Sequence, residues 1–145
     1  MPKHHPRMIH WANFIWLILL LQGCISLPVI HYDNTTYKNL TQLKAETVFL
    51  VKSFDTKPIE TNQATIEQVQ LKLQIAYEYE IGKGSENSDT VKQYNKIIEL
   101  FEQDVADYQE GGPGTFGKRY FNETAKLLGQ AFDIVIATEH TKNKD

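Results

Sequence analysis

A single cysteine, Cys24, stands among 145 residues. No internal disulfide can form, and no Cys/His spacing matches a structural zinc site. Past residue 23 the only histidines are His31 and His140, and both methionines, Met1 and Met8, lie before it. A Cys-x-x-Cys-His haem attachment is missing, as is the Glu-x-x-His pair of di-iron bundles. The two histidines read as exposed terminal residues. Gly-x-Ser-x-Gly, Walker and dinucleotide fingerprints are also absent. Gly82-x-Gly84 and Gly111-Gly112-x-Gly114 are too short to cradle phosphate and read as helix ends. A thiol nucleophile would lack a central histidine as its base. These absences predict a protein that is not an enzyme and carries no resident cofactor or metal.

Basic charge is scarce as well. The chain has 15 Lys+Arg against 18 Asp+Glu, and Lys3 and Arg7 alone fall within residues 1–23, where there is no acid. The remainder therefore carries a net charge of −5. Such a body repels phosphates, and no basic stripe interleaved with aromatics relieves it, so nucleic acid is not an expected partner.

What the first thirty residues do have is a targeting pattern. Lys3, His4, His5, Arg7 and His10 give a positive start; Trp11-Ala12-Asn13-Phe14 then leads into the unbroken apolar run Ile15–Leu21. Gln22-Gly23-Cys24 follows directly. A basic region and a short apolar region ending at small residues form a secretory signal. The run falls short of the roughly 20 apolar residues that span a bilayer. Leu21-Gln22-Gly23-Cys24 resembles the lipobox of bacterial lipoproteins, departing from it at Gln22, where the family usually has a smaller residue. The resemblance covers residues 1–24. It implies cleavage before Cys24, a diacylglyceryl group on its thiol and acylation, such as palmitate, of the new amino group. Acyl chains contribute ~0.8 kcal/mol per buried methylene, so two or three hold a small protein firmly. Lipidation also accounts for an otherwise unpaired thiol. Ile25 stands where an aspartate marks inner-membrane retention in enteric bacteria, which makes the outer membrane the preferred destination. Two readings compete: plain secretion with an incidental Cys24, and an uncleaved anchor over 11–30, which Asn13, Gln22, Gly23, Ser26 and Pro28 weaken.

The mature chain changes to a helical period. Residues 1–23 read as signal, 24–32 as lipidated cysteine and linker, 33–140 as a helical bundle and 141–145 as a polar tail. Asp33 or Asn34 caps a first helix, whose stripe is Tyr37, Leu40, Leu43, Thr47, Leu50, Val51 and Phe54. Pro58 ends it. A second helix is expected over about 62–81, with Ile66, Val69, Leu73, Ala76, Tyr77 and Glu80 or Ile81 inward. A third starts at a Ser88 or Asp89 cap and buries Val91, Tyr94, Ile97, Ile98, Phe101, Val105 and Tyr108. Thr115 caps a fourth, with Tyr120, Thr124, Leu127, Leu128, Ala131, Phe132 and Val135 inward. Ile134-Val135-Ile136 favours strand by propensity but sits inside a longer helical period and reads as helix. Four such helices with short connections predict an all-α antiparallel bundle. A three-helix core with a loosely docked first helix is the alternative.

Carboxylates are the remaining candidates. Glu80 falls near the inward stripe, which places it in a buried pair or in hydrogen bonds with tyrosine. On helix three Glu99 and Glu102 share a face, as do Asp104 and Asp107. Together they read as a solvated acidic surface that could dock a basic partner or weakly hold divalent cations. Short segments, among them Asn39–Glu46, Tyr77-Glu78-Tyr79-Glu80 and Ala131-Phe132-Asp133, also resemble small bacterial helical proteins of no assigned function. The reading these features support is a lipid-anchored envelope lipoprotein facing the periplasm. It would be a non-catalytic protein-binding module of the envelope, immunity or exclusion kind, held to the membrane through Cys24 and bound to an unknown protein partner. A carrier of a small ligand or metal within the bundle is the alternative.

Overall fold

The computed structural model describes residues 31–117 and 119–142. The signal segment, Cys24 and residues 143–145 of the tail therefore lie outside the described residues. Four helices account for the rest: α1 (Asn34–Ser53), α2 (Ile59–Ile81), α3 (Ser88–Gly111) and α4 (Tyr120–His140). A short 3-10 turn, Ser85–Asn87, leads into α3.

Local chemistry sets most of the boundaries. Asp33 holds an extended backbone, and its carboxylate accepts the Thr35 N–H at 2.7 Å, satisfying one of the free donors of the first turn. Pro58 stands immediately before α2, which begins at Ile59, three residues earlier than the apolar stripe indicated. Proline disfavours helix in the residue before it but is compatible with a helix that starts just after. The chain then reverses at Gly84, φ 97°, and leaves α3 at Gly112, φ 71°. Both are left-handed conformations suited to glycine.

Cross-helix contacts fix the directions. Between α1 and α2, Thr36 meets Glu80 and Glu46 meets Lys72. Between α2 and α3, Asn62 meets Tyr108 and Gln70 meets Glu102. Between α3 and α4, Gln93 meets Thr138 and Asp107 meets Tyr120. In every pair one number rises as the other falls, so each helix runs opposite to the next. α1 also lies against α4, closing an up-down-up-down ring with α2 and α4 at opposite corners. The α1–α4 contact is the most extensive, so α1 is an integral wall and not a loosely docked addition.

The core combines the expected stripes with some shifts of phase. Leu40, Val51, Leu73, Tyr94, Ile97, Phe101, Leu128 and Phe132 are all buried. At one end Phe54 stacks on Tyr108, centroids 4.0 Å apart, with Phe121 edge-on to both. On α4 the buried stripe is Phe121, Ala125, Leu128, Phe132, Val135 and Glu139, while Leu127 is 58% exposed. Adjacent apolar residues 127 and 128 lie about 100° apart on a helix, and only one can face the core. Tyr37, Tyr77, Val91, Ile98, Tyr120, Thr124 and Ala131 are half-buried at the seams. The Ile134–Ile136 segment is helical.

Two caps differ from expectation. Asn87, and not Ser88 or Asp89, precedes α3, and its side chain makes no cap bond because it turns to Glu80. Thr115 lies in a turn before α4 and donates to the Gly111 carbonyl. The N-terminus of α4 is capped from elsewhere in the chain. Asp55, in the α1–α2 connection, accepts from the N–H groups of Phe121 and Asn122 at 3.3 and 3.1 Å and from the Asn122 side chain at 2.5 Å.

Candidate functional site

The four acidic residues expected to form one face of α3 do not do so. Glu99 is exposed and accepts from Asn95 and Lys96 on its own helix. Glu102 leans toward α2, both of its oxygens taking the Gln70 amide at 3.1 and 3.0 Å. Asp107 leans the other way, toward α4, and accepts the Tyr120 hydroxyl at 2.5 Å. That bond, with burial added, pushes the Tyr120 phenol up to about 12. Asp104 is only 4% exposed. It stands three residues after Phe101 and four before Tyr108, hence inside the buried stripe of α3. Burial pushes its carboxyl up to about 6; Thr124 opposes the shift and Asp107 adds to it. The solvent face keeps Glu99 and Glu102, and Asp104 belongs to the α3–α4 seam.

A second set of carboxylates closes the end of the bundle at which the chain enters α1. Glu80 and Glu139 are wholly buried. Glu80 accepts from the Thr36 hydroxyl at 2.6 Å and the Asn87 amide at 2.7 Å, and Lys83 lies 3.1 Å away. Glu139 accepts the Asp33 N–H at 2.6 Å and pairs with Lys142 at 2.6 Å; Lys142 also donates to Asn87. Asp33 takes the Tyr79 hydroxyl and Lys83, both at 2.7 Å. Burial raises the Asp33 carboxyl, but Lys83, Tyr79 and the Thr35 N–H outweigh it and hold the group well below the usual carboxylate range. Glu80 is thus in the buried pair its position indicated, with Lys83, Thr36 and Asn87 as partners. Each buried acid has its own lysine, an arrangement that suits a structural tie. Among the described residues no cluster of three or more His, Cys, Asp or Glu could hold a metal. His31 and His140 are exposed, with His140 edge-on to Tyr37 at 5.1 Å.

The outer surface of α1 and α2 is of a different kind. Phe49 is 73% exposed, Leu71 61% and Ile75 60%. Leu71 and Ile75 are four apart and share one side of α2. Between the two helices run two hollows. One, of about 300 Å³, has Phe49, Leu50 and Val69 with Lys57 and Gln68 around it. The other, of about 160 Å³, is lined by Leu43, Ile75 and Ala76 with Asn39 and Gln42. Lys72, paired with Glu46 at 2.8 Å, borders both. A third hollow of about 370 Å³ lies on the other side of Phe49, among Ala45, Val48, Lys44 and Lys52. The strongest apolar stripe of each helix does not include these residues. Their signal is an apolar residue outside the stripe: Phe49 beside Leu50, and Leu71 and Ile75 two residues either side of Leu73. Among the described residues no helix is long and apolar enough to cross a membrane. Compared with protein-family models, curated proteins and solved structures, the chain finds no match.

Proposed function

We propose that this protein is a non-catalytic protein-binding module, tethered through a lipidated Cys24 to a bacterial envelope membrane and facing the periplasm. The observation that carries the binding role is the α1–α2 face, where Phe49 and Ile75 expose large apolar side chains at the two hollows and Leu71 stands one turn from Ile75 on the outer side of α2. Single exposed apolar residues are ordinary, but several bordering a concave surface mark an interaction site. The acidic α3 surface is the weaker candidate, since Asp104 is turned inward and Asp107 is half-buried. The tether rests on the lipobox resemblance at Leu21–Cys24. From Cys24 to Asp33 the chain spans at most about 32 Å when extended, so a lipidated Cys24 would keep the bundle close to the bilayer. Partners would then be other proteins of the envelope, or an incoming toxin or phage component.

The test is a photo-crosslinking residue at position 49 of the full chain in its native host, with position 99 as the control. The expected result is a discrete protein adduct from position 49 and none from 99, with mass spectrometry finding diacylated Cys24 as the first residue. A free thiol on an uncut chain would remove the tether. Failure to form a protein adduct from position 49 would remove the binding role.

A further inference from the structure

The α1–α2 groove carries charge of the opposite sign to the molecule around it. Its two hollows present Lys57 and Lys72 against the single acid Glu46, and Lys52 stands beyond the rim, in the third hollow on the other side of Phe49. Glu46 pairs with Lys72. Lys52 and Lys57 are exposed and make no ion pair among the described residues. Both stand on the α1 side of the groove or just past its end. The far side of α2 is different: Glu67 and Glu78 flank Leu71 there, four residues before it and seven after, and both are exposed. The groove therefore has a basic wall, an apolar floor and an acidic outer edge, in a body whose net charge beyond residue 23 is −5.

We infer that this groove seats an amphipathic helix of another protein, with acidic residues along the flank that meets α1. The inference rests on the protein-binding reading above and names the class of partner. A helix fits because the seat is itself the furrow between two antiparallel helices. From Asn39 to Ser53 the α1 lining spans 14 residues, about 21 Å of helix rise, which matches a partner helix of about four turns. Its apolar residues at three- and four-residue spacing would meet Phe49, Leu71 and Ile75. Its acids would pair with Lys52 and Lys57, and bases in the same places would be repelled. Glu67 and Glu78 fix the orientation, since acids on the other flank would face them. Charge placed this way contributes more to choice of partner than to raw affinity.

The test uses two 20-residue helical peptides with the same leucine face, one with Glu and the other with Lys along a single flank, and Gln elsewhere. Each is titrated into the full chain in detergent, and the binding site is mapped by amide chemical shifts. The Glu peptide is expected to bind at least tenfold more tightly than the Lys peptide and to weaken with added salt. Its shifts should centre on Phe49, Lys52, Leu71 and Ile75. The double substitution Lys52→Glu and Lys57→Glu, at two exposed sites, should reverse the preference. Equal binding of both peptides at that footprint, or preference for the Lys peptide, overturns the charge assignment and leaves the binding face standing. Binding of neither peptide, or a footprint on α3, overturns the seat. The crosslink from position 49 in cells then decides separately whether any protein uses this face.

Discussion

Asp104 occupies a buried place that an uncharged side chain would fill more cheaply. Its neighbours in the stripe are Phe101, Val105 and Tyr108, and burial raises its carboxyl from an ordinary 3.8 to about 6. The native state therefore keeps the proton to higher pH than the unfolded chain does. As pH rises from about 4 to above 6 the unfolded chain ionises freely, while the native state must either hold its proton or bury a charge, so this residue's contribution to stability falls. Asp104→Asn should accordingly exceed the parent in stability at pH 7.5 by on the order of 2 kcal/mol, and match it near pH 4. Urea unfolding of both proteins at the two pH values checks this; equal stability at pH 7.5 would contradict it. Gly129 is a second position where one residue decides something. It is buried within α4 against α1, and a Cβ added there would come 3.5 Å from Val48, an ordinary contact. Glycine inside a helix costs about 0.5–1 kcal/mol relative to alanine. Gly129→Ala should raise the urea midpoint by an amount corresponding to that gain. A loss would mean that the α1–α4 contact has no room for a methyl group.

At the scale of elements, the Asp55 cap ties two connections together. Its carboxylate satisfies two backbone donors at the start of α4 from a residue 66 positions away in the chain. Asp55→Ala should cost about 1–2 kcal/mol, the usual worth of an N-cap. Hydrogen exchange at Phe121 and Asn122 should quicken while that of α2 is unchanged; a uniform loss of protection would argue against a local cap. This bond also shows where reading the sequence stops. A capping residue such as Asp33 is legible because donor and acceptor lie two residues apart. Thr115 had the right chemistry and is kept from α4 by the glycine-containing stretch from Gly112 to Gly117, whereas Asp55 becomes a cap only once the bundle is folded. The four-helix architecture was legible from the three- and four-residue spacing of apolar side chains, which is strongest on α3. The phase of α4 was not, because Tyr120 and Phe121, and Leu127 and Leu128, offer the core two alternatives one residue apart. The same ambiguity hid the candidate site. Phe49, Leu71 and Ile75 are apolar residues left over after the core is filled, and only the folded ring shows which residues are surplus. Glu99 and Glu102 are exposed as their charge indicates, whereas the spacing of Asp104 from Phe101 and Tyr108 sets it in the buried stripe despite its charge.

Over the whole molecule the two ends of the bundle are closed by different means. Phe54, Tyr108 and Phe121 seal one end with stacked and edge-on rings. At the other, where the chain enters α1, Glu80, Glu139, Lys83 and Lys142 tie α1, α2 and α4 to one another and to Asn87, just before α3. Removing one partner of such a network strands the others. Glu80→Ala should cost on the order of 3–5 kcal/mol in urea unfolding, against less than about 0.5 for the exposed Glu78→Ala. Similar small losses in both would mean that the network is not a tie. Phe49, Leu71 and Ile75, by contrast, stand outside the buried core, and that separation is the core of the functional account. Side chains kept for a partner can be changed without cost to the fold. The most direct measurement is therefore the unfolding free energy of Phe49→Ser, with Phe54→Ala as the reference for a truly buried ring. The account predicts a change within about 0.5 kcal/mol for Phe49→Ser and a loss of about 3–5 for Phe54→Ala. A loss at Phe49 comparable to that at Phe54 would show that the fold itself covers this ring, and the α1–α2 face would not be free to bind anything.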